Sequence, residues 1–235
     1  MLAIYKREMR SYFTGVIGYV FLVLFLALGG AVFCFTTLFA MSADVSTFFT
    51  YMMLLSAIML PLLTMKSFSD ERKAKTEQLL LTAPVSLTGM VFAKFLAAFT
   101  MFGGALLINS LYFIILYPYA EVKTANLIGN VLALLLVGMT FIAIGIFVSA
   151  LTENQLSAAV GTIAIILAFL LIGVINSLLP SNFWIRYVFD CVSIFTRFQT
   201  LTNGYFDLSS LIYSVSVTAV FVYLTIRVYD RRRYN

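Results

Sequence analysis

Residues 126–178 read NLIGNVLALLLVGMTFIAIGIFVSALTENQLSAAVGTIAIILAFLLIGVINSL. As one continuous helix these roughly 53 residues would extend about 80 Å. A bilayer offers about 30 Å of hydrocarbon, so the chain has to turn inside this stretch. Thr152-Glu153-Asn154-Gln155 is its only strongly polar cluster, and it divides the stretch into two crossings, 126–151 and 155–178.

Outward from that pair, four more runs are long and apolar enough to cross: 16–40, 48–66, 90–117 and 208–228. A short loop around Ser42, Asp44 and Ser46 separates the first two, and Tyr117-Pro118-Tyr119 ends the third at an interface. Residues 1–235 are therefore expected to form a single all-α membrane domain with six transmembrane helices. Composition agrees, with 62% apolar and 11% charged residues and a mean hydropathy of +1.02. A soluble domain is about a quarter charged. The run from Val16 to Phe39 exceeds the roughly 7–15 residues of a signal-peptide core and has no small-residue cleavage site, so it should remain as a membrane helix.

The basic residues set the orientation. Lys6, Arg7, Arg10, Lys66, Arg72, Lys73, Lys75, Lys94, Arg227, Arg231, Arg232 and Arg233 fall on one side of the membrane these spans define. Only Lys123, Arg186 and Arg197 fall on the other. Against six and four acidic residues, the two sides carry +6 and −1. Basic residues are retained on the cytoplasmic face, so both termini of this multi-pass protein are expected inside. The net charge of +5 is then topology rather than a nucleic-acid footprint.

The chain has no histidine, which removes imidazole metal sites, Ser-His and Cys-His pairs and the H-E-x-x-H protease helix. It also lacks a G-x-x-x-x-G-K-[ST] phosphate loop, so it is not expected to hydrolyse ATP by that route or to bind a cofactor directly. Cys34 lies in the first span and Cys191 in an outside loop, and both read as packing residues.

Two segments flank the spans. In residues 1–13, Leu2, Tyr5, Met9, Tyr12 and Phe13 recur at helical spacing, with Lys6, Arg7 and Arg10 on the other side. That pattern predicts an N-terminal interfacial helix in the headgroup plane, its plain alternative being a basic flank without helical order. Residues 179–207 mix Phe183, Trp184, Tyr187, Phe195 and Phe198 with Arg186, Asp190, Arg197 and Asp207. They suit either short outer-leaflet helices or an amphipathic loop on the surface.

The connection from Met65 to Lys94 carries the most information. Ser69, Asp70 and Glu71 favour a helix N-terminus, and Ala83-Pro84 a stop, with a further helix opening after Ser86 or Thr88. The result is a short cytoplasmic helix between spans two and three, charged at its start and apolar at Leu79 and Leu80. Such an end suits a groove on a soluble partner, although a merely topogenic basic loop reads similarly.

Glu71-Arg72-Lys73 followed by Lys75-Thr76-Glu77-Gln78-Leu79-Leu80-Leu81-Thr82-Ala83-Pro84-Val85-Ser86, with Lys94 at the start of the next span, resembles the coupling segment of ABC-2 type transporter permeases, most nearly the gliding-motility GldF-like group. The N-terminal Tyr5-Lys6-Arg7-Glu8, the Phe141–Gly145 and Leu151–Gln155 stretch, and the Thr225-Ile226-Arg227-Val228 exit are similar to theirs as well. The resemblance implies a permease subunit of an ATP-binding cassette exporter, paired with a second permease copy, identical or not. It also implies a separate ATPase subunit holding ATP and magnesium. Glu71, Arg72, Thr76, Glu77, Gln78, Leu79, Leu80 and Pro84 would form the ATPase-coupling site, with Glu71 and Arg72 orienting it through each other or through the first helix. GldF-like permeases also work beside a membrane protein with a large extracytoplasmic domain. The cargo is not implied.

No ionisable residue is expected deep in a span, since Lys94 and Glu153 lie near inside ends. Asn109, Asn176 and the span hydroxyls read as interhelical hydrogen-bonding groups, and Gly29, Gly30, Gly103, Gly104, Gly138 and Gly145 as sites of close helix packing. The absence of intramembrane carboxylates weighs against the alternative, a self-sufficient six-span channel or secondary carrier. An intramembrane hydrolase is weaker still, because no pair of aspartates sits within spans.

Overall fold

The computed structural model describes residues 1–40, 44–74, 86–116, 124–178, 193–202 and 207–234, and among these every regular element is helical. In chain order they are α1 (Leu2–Thr14), α2 (Val16–Phe33, continued by a wider turn to Phe39), α3 (Val45–Thr64) and α4 (Lys66–Lys73). Then come α5 (Leu87–Ser110, continued by a tighter helix to Leu116), α6 (Thr124–Leu151), α7 (Gln155–Leu178), α8 (Ile194–Thr202) and α9 (Leu208–Tyr234). Six of the helices are long and apolar enough to cross a membrane, as the hydropathy pattern requires.

The bundle is built around α6, which packs against α3, α5, α7 and α9 and the short α4 and α8. Of its most apolar window, 67% is buried inside the protein, against 22% for α9 and 28% for α2. The outer helices thus turn apolar side chains such as Val23, Leu28, Val160, Leu171, Ile212 and Val220 outward, as a lipid-solvated bundle must. The core between α2, α3 and α5 is aromatic. Phe33, Phe48, Phe49 and Phe113 stack or meet edge-to-face at 5.1–6.1 Å.

Glycines admit the closest approaches. A Cβ on Gly138 would lie 2.0 Å from the buried Phe102 ring, and one on Gly145 would lie 2.1 Å from the Thr64 hydroxyl. Several span hydroxyls depart from the sequence expectation of interhelical bonding, although Ser46 and Ser149 meet it. Ser56, Thr140, Thr162, Thr218 and Thr225 all donate to carbonyls three or four residues back on their own helices. A free helical carbonyl lone pair is always within reach of such a side chain, so the local bond wins.

Two ends can be told apart. At one, the Thr202 carbonyl of α8 accepts from Ser46 Oγ at 3.2 Å and from Asn130 Nδ2 at 3.5 Å. There Asp207 caps α9, accepting from the Ser209 amide and the Ser210 hydroxyl, which hold its carboxyl below the ordinary range. At the other end α1, α4, the start of α5, the α6–α7 turn and the end of α9 converge. The sequence-derived helices within 179–192 lie outside the described residues, whereas 194–202 is helical.

Candidate functional site

The converging end is organised by α4. Pro61 sits inside α3, and the helix ladder is interrupted at Met65. The Ser149 hydroxyl of α6 enters that interruption, accepting from the Phe68 and Ser69 amides at 3.0 and 3.1 Å and donating to the Met65 carbonyl at 3.0 Å. A hydroxyl from one spanning helix therefore caps the first turn of another element. Replacing Ser149 by Ala is expected to cost about 1–2 kcal/mol, the range of a lost helix cap. Faster hydrogen exchange at the Phe68 and Ser69 amides is the local sign, and unchanged protection there would contradict the capping role.

This arrangement corrects the reading of Ser69-Asp70-Glu71 as a helix N-terminus, because all three lie within α4. Asp70 and Glu71 serve neighbouring elements instead of their own backbone amides, and the Ser69 hydroxyl donates to the Met65 carbonyl four residues back. Asp70 accepts from the Gln155 side-chain amide and faces Lys66 Nζ at 3.6 Å, and Glu71 turns toward α1 and α5.

Lys94, two turns into α5, is 2% exposed. Its ammonium lies 2.9 Å from Glu71 Oε1 and 3.3 Å from Glu8 Oε1, donates to the Ser67 carbonyl and sits 4.7 Å above the Phe68 ring. Arg7 closes the figure at 2.7 Å from Glu8 and 2.8 Å from Glu71. Two cations and two anions thus form a neutral quartet from three separate elements. Burial opposes the Arg7 charge, but Glu8 and Glu71 outweigh it and raise the guanidinium pKa above its ordinary value.

Arg72 points the other way. It lies 2.8 Å from Glu153 in the α6–α7 turn and donates to the Leu151 carbonyl at 2.8 Å. Of the partners considered for this pair, then, Glu71 takes the first helix while Arg72 takes a turn no local pattern pointed to. Behind α4, Phe68 stacks at 4.7 Å on the buried Tyr229 of α9. Arg232 lies over that tyrosine ring and donates to the Ala150 carbonyl at 2.7 Å. Among the described residues, α5, α6, α7 and α9 each bring a side chain against α4.

Of the first-helix residues, Tyr5 faces α5, its hydroxyl 3.2 Å from Thr100 Oγ1, while Lys6 and Arg10 are exposed and Arg7 joins the quartet. Thr76, Glu77, Gln78, Leu79, Leu80 and Pro84 lie outside the described residues. Glu8, Lys94 and Ser149 were not among the sequence-derived site residues. One signal for the first two existed: Lys94 is the one basic residue in the third apolar run, and Glu8 the one acid in the first helix.

Residues 41–227 match the family model described as ABC-2 family transporter protein. The chain belongs to the ABC-2 transporter family. No curated protein matches it. Membership makes the chain a multi-pass membrane permease component, consistent with six apolar helices around a buried α6. The match begins after α2, so Arg7 and Glu8 lie outside it, while Glu71, Arg72, Lys94, Ser149 and Glu153 lie inside. The ABC-2 core thus contains the α4 root, and the preceding helix supplies the remaining half of the quartet.

Proposed function

We propose that this chain is the permease subunit of an ATP-driven exporter of a bacterial cytoplasmic membrane, with both termini in the cytoplasm and α1 in the headgroup layer. A separate ATP-binding cassette subunit would dock on the segment Thr76–Pro84, and ATP and magnesium would reside on that subunit. The observation that carries this reading is how α4, the helix leading into that segment, is fastened. Glu71 ties it to α1 and α5, and Arg72 and Asp70 tie it to the α6–α7 turn. Ser149 clamps its first turn to α6. A force delivered to α4 would therefore pass directly to α5, α6 and α7. The docking energy itself would come from Leu79 and Leu80, at about 25 cal/mol per Å² of apolar area buried. The exposed Arg72–Glu153 pair sets geometry and is worth at most about 1 kcal/mol. A second permease copy completes the pathway, and in keeping with the GldF-like resemblance a protein with a large extracytoplasmic domain joins the assembly.

The test is co-purification with the ATPase followed by ATP turnover in the assembled complex. Glu77→Lys or Leu79→Asp should lower permease-dependent hydrolysis at least about tenfold, equivalent to about 1.4 kcal/mol of lost coupling, while the permease melts as before. Unaltered turnover in both variants would exclude this segment as the docking site.

A further inference from the structure

We propose that the cleft between the C-terminal ends of α6 and α9 binds an anionic phospholipid, its phosphate on Arg227 and Arg231 and its acyl chains against Phe147, Leu151, Leu224 and Val228. The cleft has a volume of about 820 Å³ and is built by two spanning helices where α6 gives way to the α6–α7 turn. Its composition is split. The four apolar side chains form the wall along the spans, and Arg227, Arg231 and Arg232 form the rim, with Asp230 the one acid among them.

The three arginines are not equivalent. Arg232 is occupied by the Ala150 carbonyl and the Tyr229 ring. Arg227 gives its Nε to the Tyr223 hydroxyl and meets Asp230 at 3.6 Å, yet its side chain is 62% exposed, leaving guanidinium donors free. Arg231 is exposed and has no ion partner among the described residues. Two planar cations therefore stand over an apolar slot with donors to spare. Guanidinium forks match phosphate oxygens bidentately, and basic pockets between spanning helices suit acidic headgroups. A free anion would leave the apolar wall unused, and a lipid without net charge would leave the rim uncompensated.

The experiment is native mass spectrometry of the purified chain in neutral detergent. The protein is titrated with dioleoyl-phosphatidylglycerol and with dioleoyl-phosphatidylcholine, which share acyl chains and differ in charge. Wild type should retain the phosphatidylglycerol preferentially. Arg231→Gln and Arg227→Gln should each cut that preference about fivefold, the size of one basic residue at an anionic lipid surface. Lys73→Gln removes one charge from the exposed end of α4 and should leave the preference intact. Equal retention of the two lipids by wild type would overturn the proposal. So would an equal loss in Lys73→Gln, which would mean net charge alone, or displacement of phosphatidylglycerol by equimolar inorganic phosphate, which would mean a free-anion site.

Discussion

Lys94→Met is expected to destabilise the protein by about 3 kcal/mol, the lower part of the range for removing one partner from a buried ion pair. Met keeps most of the side-chain volume, so no large cavity contributes to the loss. What changes is charge: Glu8 and Glu71, both mostly buried, are left to share Arg7, whose side chain is half exposed. The Ser67 carbonyl loses a donor and the Phe68 ring its cation. The discount from the upper end of the range reflects Arg7, which still contacts both carboxylates at 2.7 and 2.8 Å.

A double-mutant cycle with Glu71→Gln separates this explanation from simple packing damage. Removing the excess carboxylate should recover part of the loss in Lys94→Met, with a coupling of about 1–3 kcal/mol for groups in one charge network. Thermal unfolding in detergent supplies all four values. Additive effects would show that Lys94 and Glu71 do not act together, and a Lys94→Met protein as stable as wild type would dissolve the quartet as a structural element.

The two halves of the architecture differ in how far the chain discloses them. Membrane crossings depend on hydropathy summed over about 20 residues, and a run such as 155–178 supplies that sum whatever its neighbours do. The fastening of α4 depends on single atoms brought together from distant positions. Glu8 and Lys94 are 86 residues apart, and Ser149 is 81 from the Phe68 amide it accepts from. Nothing local marks Ser149 as a cap in trans rather than one more span hydroxyl bonding its own helix. The misreading at Ser69-Asp70-Glu71 has the same origin. Capping rules weigh a side chain against its own backbone, and here Gln155, Arg7 and Lys94 outcompete that backbone for the same oxygens. What was legible at the site was the tie of Glu71 to the first helix, which Arg7 supplies at 2.8 Å.

Gly18→Leu is expected to detach α1 and lower stability by about 3 kcal/mol, the upper part of the usual overpacking range. Between Thr14 and Val16 the chain turns at Gly15, whose extended backbone separates α1 from α2. The two helices come so close that a Cβ on Gly18 would stand 2.2 Å from the Tyr12 carbonyl oxygen and 2.8 Å from its carbonyl carbon. A side chain in the way could rotate, but a backbone carbonyl moves only with its helix. Since Tyr12 is buried and Glu8 lies one turn before it, displacing α1 also withdraws Arg7 and Glu8 from Lys94 and Glu71. The expected sign is opposite to helix propensity, which favours Leu over Gly by several tenths of a kcal/mol or more. Gly104→Ala provides the comparison, because nothing lies within 4 Å of the added carbon and propensity alone should act, stabilising by up to about 1 kcal/mol. If melting in detergent shows the two substitutions shifting stability in the same direction, the close approach of α1 to α2 does not exist in solution. If Gly18→Leu destabilises but Lys94→Met in that background costs as much as in wild type, α1 docking and the quartet are independent. The shared geometry requires instead that the Lys94 penalty change, because α1 takes both Arg7 and Glu8 with it and leaves Lys94 facing Glu71 at 2.9 Å.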